Sequence, residues 1–185
     1  KGIKKGDRVA LLLLNCVEFL EVYFACAKLG VIVVPLNWRL AAPELEYQLN
    51  NCDVRMLVFH DCFLGSVDLI RDRTKVEQDK FVFLASGSAT LPGFELPRCP
   101  SWAQDYHELS DGESVSEPVP LEPVFLDDAL AIIYTSGVTG APKGAVLSHL
   151  QTYFKNFQVA IYIDACQDDI VIAQMPLFHS GGFSS

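Results

Sequence analysis

The chain has 185 residues, 50% of them hydrophobic and 20% charged, with a formal net charge of −9 at pH 7. That length holds one domain with a sizeable core but not two ordinary ones, the apolar share excludes a disordered chain, and the negative balance argues against nucleic acid as a partner. The acidity is confined: eight acids and no Lys or Arg stand between Asp105 and Asp128, and the rest of the chain is nearly neutral.

Residues 8–86 alternate between two periodicities. Residues 9–14 are a short continuous apolar run of the kind that sits in a parallel sheet covered on both faces. Asn15, with Glu18 three residues on, has the spacing of a helix cap, so a helix is expected from there to residue 29, closed by Gly30. On that helix Glu18, Glu21 and Lys28 form one narrow polar stripe, and the remainder should be covered. Residues 31–36 read as the next strand. Pro43 at a first-turn position and Leu45 and Leu49 four apart mark a second helix. Residues 54–59 and 81–85 read as further strands, with a helix over 62–73 between them. Strands alternating with helices of roughly ten to fifteen residues predict an α/β fold, a mainly parallel sheet flanked by helices.

Residues 87–126 are rich in Pro, Gly, Ser and acid and read as a solvated surface connection, with one short helix in "SWAQDYHEL". In residues 127–185 apolar order returns at 129–134 and, after a glycine loop, at 145–147. Ser148 and Gln151 have capping-box spacing, and Leu150, Phe154, Phe157 and Ile161 follow as a helical stripe. Residues 170–173 read as a last strand before "QMPLFHSGGFSS".

The six cysteines (Cys16, Cys26, Cys52, Cys62, Cys99 and Cys166) are scattered with no metal-type spacing. They fit free thiols in a reducing, cytoplasmic setting, and no metal site is expected from them. No apolar stretch reaches the length of a transmembrane span or has the layout of a signal peptide. His60, His107 and His149 read as surface or capping residues, Trp38 as a packed aromatic and Arg39 as a surface cation.

The loop "YTSGVTGAPKG" carries chemistry. Its glycines allow close backbone approach, consecutive N–H groups in such turns form an anion-binding concavity, and Thr135, Ser136 and Thr139 add hydroxyl donors. Lys143 supplies a point charge suited to phosphate, and Pro142 fixes the loop's exit by holding Ala141 extended. The spacing is not that of a Walker A loop, because five residues on from Gly137 stands Pro142 and Gly144 follows Lys143; nor is it G-x-G-x-x-G. On these residues alone the loop is either a nucleotide phosphate loop or a ligand-free glycine hairpin.

"YTSGVTGAPKGAVLSH" resembles the signature of the adenylate-forming enzymes, which include acyl-CoA synthetases, adenylation domains of peptide synthetases and luciferases. "GDRVALLLLNCVEFLEVYFACAKLGVIVVPLNWRL", "PELEYQLNNCDVRMLV" and "MPLFHSGG" resemble further segments of the same family, so the likeness covers nearly the whole chain. It implies a part of the family's large N-terminal domain over residues 1–185, with the phosphate loop between two strands. It also implies ATP-dependent activation of a carboxylic acid, with pyrophosphate release, Mg²⁺ and transfer to CoA. An adenylation domain feeding a carrier protein and a non-catalytic nucleotide-binding domain are the alternatives.

By the same resemblance Thr135, Ser136, Gly137, Val138, Thr139, Gly140 and Lys143 line the ATP phosphates, with Lys143 stabilising charge in catalysis. His179, Gly181 and Gly182 border the substrate pocket. Val138 departs from the family, which usually has Ser or Thr there; one missing hydrogen bond to a charged partner is worth about 1.5–3 kcal/mol. No segment resembles the family's adenine- and ribose-binding motifs, its hinge or its small C-terminal domain. The chain is therefore expected to be an internal stretch of a longer protein and not to catalyse the full reaction alone, and a mean hydropathy of +0.25 agrees with faces that other parts cover. Self-association and the identity of the acid stay open.

Overall fold

The computed structural model describes residues 2–86, 97–135, 140–170, 172 and 174–183. The first apolar run becomes β1 (Arg8–Leu12), and it is followed by α1 (Val17–Leu29), β2 (Ile32–Pro35), α2 (Ala42–Asn51) and β3 (Met56–His60). Next come α3 (Leu64–Ile70), flanked by single 3₁₀ turns, β4 (Phe81–Leu84), a two-residue β5 (Gln104–Asp105) and α4 (Tyr106–Ser110). The chain continues with β6 (Ala129–Thr135), β7 (Lys143–Ser148), α5 (His149–Tyr162) and the short α6 (Ser180–Phe183).

The seven strands form one sheet in the order β5-β4-β3-β1-β2-β6-β7. All neighbours run parallel except the β6–β7 hairpin. Alternation along β1 explains why its sequence is apolar at every position: Ala10 and Leu12 point into one core with Leu45, Leu49 and Phe59, and Val9 and Leu11 into another with Phe19 and Cys26. Helices on both faces supply those two cores, so the α/β reading with a mainly parallel sheet holds. Gly30 closes α1 at φ 68°, a left-handed conformation that a side chain would strain. Ser148 and Gln151 make the predicted capping box on α5.

Several expectations need correction. Cys16, not Asn15, is the N-cap of α1, because the Asn15 side chain is engaged 160 residues away, as described below. The covered remainder of α1 is only half realised: Phe19 and Cys26 are buried, whereas Val17, Leu20, Phe24 and Leu29 are exposed among the described residues. On α5 the stripe of Phe154, Phe157 and Ile161 is likewise exposed, and Thr152 is the helix's buried residue. The last strand is not formed at Ile170 and Ile172; Val171 and Ala173 lie outside the described residues.

The connection after β4 is more than a surface link, since β5 extends the sheet and Trp102 stacks on Phe59 at 5.8 Å and meets Phe81 edge-on at 5.7 Å. Its acids are mostly solvated, but Asp128 pairs with Lys5 at 2.7 Å and Glu117 with Lys28 at 2.8 Å, tying the segment to the start of the chain and to α1.

His60 also departs from its reading as a surface or capping residue: it is 4% exposed, and its Nδ1 accepts the Leu14 N–H at 3.0 Å. That bond needs a neutral ring. Burial lowers the His60 pKa against the opposing pull of Asp61 and Glu18, and burial also lowers that of His149, which faces Asp128 and Lys5. Both rings stay neutral in the fold at pH values where the unfolded chain binds protons, so stability is fully present above about pH 6.5 and is lost as pH falls. Thermal unfolding between pH 7.5 and 5.5 should show a falling Tm, with a shallower fall in His60→Gln; equal slopes in the two proteins contradict the assignment.

Candidate functional site

In a parallel sheet the carboxyl ends of the strands share one edge, and ligands bind there, where the strand order reverses. In this chain β2 and β3 lie on opposite sides of β1, so that edge carries Asn15 after β1, Asn37 after β2 and the glycine loop after β6. Thr135 ends β6 and Lys143 opens β7 as its cross-strand partner. The Thr135 hydroxyl donates to the Lys143 carbonyl oxygen at 3.5 Å. The loop therefore leaves from, and returns to, one pinned pair. Ser136, Gly137, Val138 and Thr139 lie outside the described residues.

α2 holds both sides of this hairpin. Tyr134 donates its hydroxyl to Asn51 Oδ1 at 2.7 Å and lies 3.3 Å from the Gln48 carbonyl oxygen. Burial, with Cys52 beside it, pushes the Tyr134 phenol up, so it remains a protonated donor. Tyr47 donates to the Pro142 carbonyl at 3.2 Å on the return side of the loop. Gly144, opposite Tyr134, has a packing reason: a Cβ there would come within 2.6 Å of Ile132 Cγ2.

A cleft of about 600 Å³ opens beside the hairpin. Asn37, Glu44 and Gln48 line one wall, Ile133, Thr135, Ala145 and Leu147 another, and Phe178, His179 and Ser180 a third. Lys143 is exposed, and by the two-residue alternation of β7 it shares a face with Ala145 and Leu147. Among the described residues no carboxylate or other acceptor pairs with its ammonium, which leaves an unneutralised cation at the mouth of the loop.

The third wall is tied down from a distance. Asn15 Nδ2 donates to the Met175 carbonyl at 2.9 Å, and the Leu177 N–H donates to Asn15 Oδ1 at 2.9 Å. Leu177 is buried among Val9, Leu11 and Leu13, and Phe178 meets Trp38 edge-on at 5.9 Å. Arg39 lies over the Trp38 ring at 4.7 Å, so the pair is a packed aromatic with a surface cation, as expected. His179 Nδ1 accepts the Gly181 N–H at 3.1 Å, which puts the ring proton on Nε2. Gly182 serves its own turn: a Cβ would lie 2.3 Å from the Pro176 carbonyl oxygen.

Of the residues picked out in the sequence, Thr135 and His179 line one cleft, and Lys143 is the cross-strand partner of Thr135 beside it. Gly140 is exposed at the loop's return, and Gly181 and Gly182 stand behind His179 in α6. Sequence reasoning missed Asn15, Tyr47, Asn51 and Tyr134 as supports. Tyr134 is the first residue of the quoted motif and was open to discovery; the others act through contacts that leave no local pattern. Among the described residues no group of three His, Cys, Asp or Glu side chains is disposed to hold a metal ion, and no helix is long and apolar enough to cross a membrane.

Comparison with known proteins agrees with this fold. The sequence profile of a family described as AMP-binding enzyme matches residues 1–185. Over its full 185 residues the chain is 35% identical to the indoleacetate–CoA ligase of Aromatoleum aromaticum, of which it spans 33%. The inhibitor-bound N-terminal domain of FACL13 from Mycobacterium tuberculosis superposes with a TM-score of 0.76 at 32% identity, covering 99% of this chain and 41% of that one. ATP-bound MatB from Rhodopseudomonas palustris gives a TM-score of 0.77 at 26% identity, with 99% and 33% covered. The chain spans about a third of the length of the curated relatives it matches.

Proposed function

The chain belongs to the AMP-binding enzyme family, and from that membership we propose that its protein activates a carboxylic acid with ATP and passes the acyl group to CoA. A carboxylate oxygen attacks the α-phosphorus as the bond to the β-phosphate oxygen breaks, giving an acyl-adenylate and pyrophosphate. The thiol of CoA then attacks the acyl carbonyl and AMP leaves. The observation that carries this reading is the pinned pair at the loop mouth, Thr135 facing Lys143, with the lysine's charge unpaired among the described residues.

A cation and loop amides around the β- and γ-phosphates position the α-phosphorus and stabilise the charge that leaves with pyrophosphate. Ser136, Gly137, Thr139 and Gly140 complete the cradle in this proposal, and magnesium accompanies the triphosphate, held by phosphate oxygens. His179 offers its Nε2–H to the acid or thiol side of the cleft. The indoleacetate–CoA ligase among the relatives supports CoA as acceptor over a carrier protein, and supports an enzyme over a non-catalytic domain. Six unpaired thiols fit a cytoplasmic setting.

The test is pyrophosphate release by the complete gene product with indoleacetate, benzoate and octanoate. Release should depend on both ATP and an acid, and acid-independent release or none contradicts the proposal. Lys143→Ala should lower kcat/KM for ATP about 10²–10³-fold with Tm unchanged, since the residue is exposed and carries no packing. Val138→Thr should raise kcat/KM for ATP about tenfold by restoring a hydroxyl to the cradle; no gain there removes the valine from the account.

A further inference from the structure

We infer that Asn15 is a positioning residue for the acid site: it sets where His179 stands by clamping the segment two residues before it. The inference rests on the reading of His179 as part of the substrate cleft. Its starting point is the fixed end of β1. That strand is paired on both edges, Leu13 after it is buried, and the Leu14 N–H is held by the buried His60 ring. Asn15 therefore leaves the sheet from an anchored backbone.

Its side-chain amide then does what a neighbouring strand would do. One N–H goes to the Met175 carbonyl and the amide oxygen takes the Leu177 N–H, both at 2.9 Å, so donor and acceptor close a bridge where no strand pairs. Leu177 inserts into the core beside β1 as the clamp's apolar half. From Leu177 only Phe178 intervenes before His179, whose N–H turns back to the Pro176 carbonyl at 3.1 Å. Beyond this, Lys155 reaches the Ser180 carbonyl at 3.2 Å, and Trp38 meets the Phe178 ring. The chain of contacts runs from the central strand through one amide to the cleft wall.

The chemistry demands an amide. A carboxylate of the same size keeps the acceptor for Leu177 but has no donor and sets a charge against the Met175 oxygen; alanine has neither group. A loss of this kind displaces the cleft wall, because both amide bonds end on residues 175–177.

Asn15→Ala and Asn15→Asp in the complete gene product test this, using whichever of indoleacetate, benzoate and octanoate the parent turns over best. Both variants should raise the KM for the acid on the order of tenfold while the KM for ATP stays within about twofold. Amide hydrogen exchange should quicken over residues 174–183 and stay unchanged over β1 and β3. An aspartate variant that behaves as the parent overturns the clamp, and so does unchanged exchange at 174–183. Quicker exchange there with an unmoved acid KM overturns the positioning role, as do equal rises in both KM values with loosening across the sheet. If the parent shows no acid-dependent release, the functional reading has failed, and the exchange data still decide whether Asn15 holds the segment.

Discussion

β1 is hydrogen-bonded on both edges, to β2 through Arg8–Leu11 and to β3 through Val9–Leu12, and the β6–β7 hairpin mouth lies two strands away along the same sheet. The pairing makes the sheet parallel, which gathers the strand exits on one side. It also places Asn15, Asn37 and the β6–β7 loop within reach of one cleft. With Ala10 and Leu11 fully buried, burial on both faces fixes the register, because a slip of one residue would exchange the two cores. Rigidity in the middle of the sheet is what lets a distant amide and a hairpin mouth keep a fixed relation.

Size does not pick out the site. A groove of about 690 Å³ lies on the face covered by α1, between that helix and α4, and is somewhat larger than the cleft beside the hairpin. Its floor is Val9, Met56, Val58 and Val82, and its rim carries the acids Glu18, Glu21 and Asp111, a combination that repels phosphate. The smaller cleft brings Thr135 and His179 together with the face of Lys143. In the proposal above the smaller cleft is preferred because its neighbouring lysine has no partner among the described residues, which suits a polyphosphate anion.

Much of this was legible in the sequence where the cause is local. The capping box of Ser148 and Gln151 lies within one turn, Gly30 meets a left-handed cap, and the apolar run of β1 reports burial on both faces. The loop's spacing was legible as a departure from the two common nucleotide fingerprints. What failed was long-range or ambiguous. Asn15 has the same local spacing whether it caps a helix or reaches residues 175–177. A single histidine such as His60 carries no period that separates a buried acceptor from a surface ring. The two-residue β5 depends on sheet-edge pairing and on Trp102 packing against Phe59 and Phe81, neither visible in so short a stretch. The exposed faces of α1 and α5 show the converse: periodicity marks which face is apolar, not what covers it.

The central claim is that the β6–β7 hairpin mouth grips a triphosphate from the carboxyl edge of the sheet. Amide hydrogen exchange of the complete gene product, with and without ATP and magnesium and with no acid present, tests it most directly. The account predicts that ATP slows exchange over residues 134–144 and leaves the groove between α1 and α4 unchanged. Unaltered exchange over 134–144 at saturating ATP, or protection that appears only elsewhere, would contradict it.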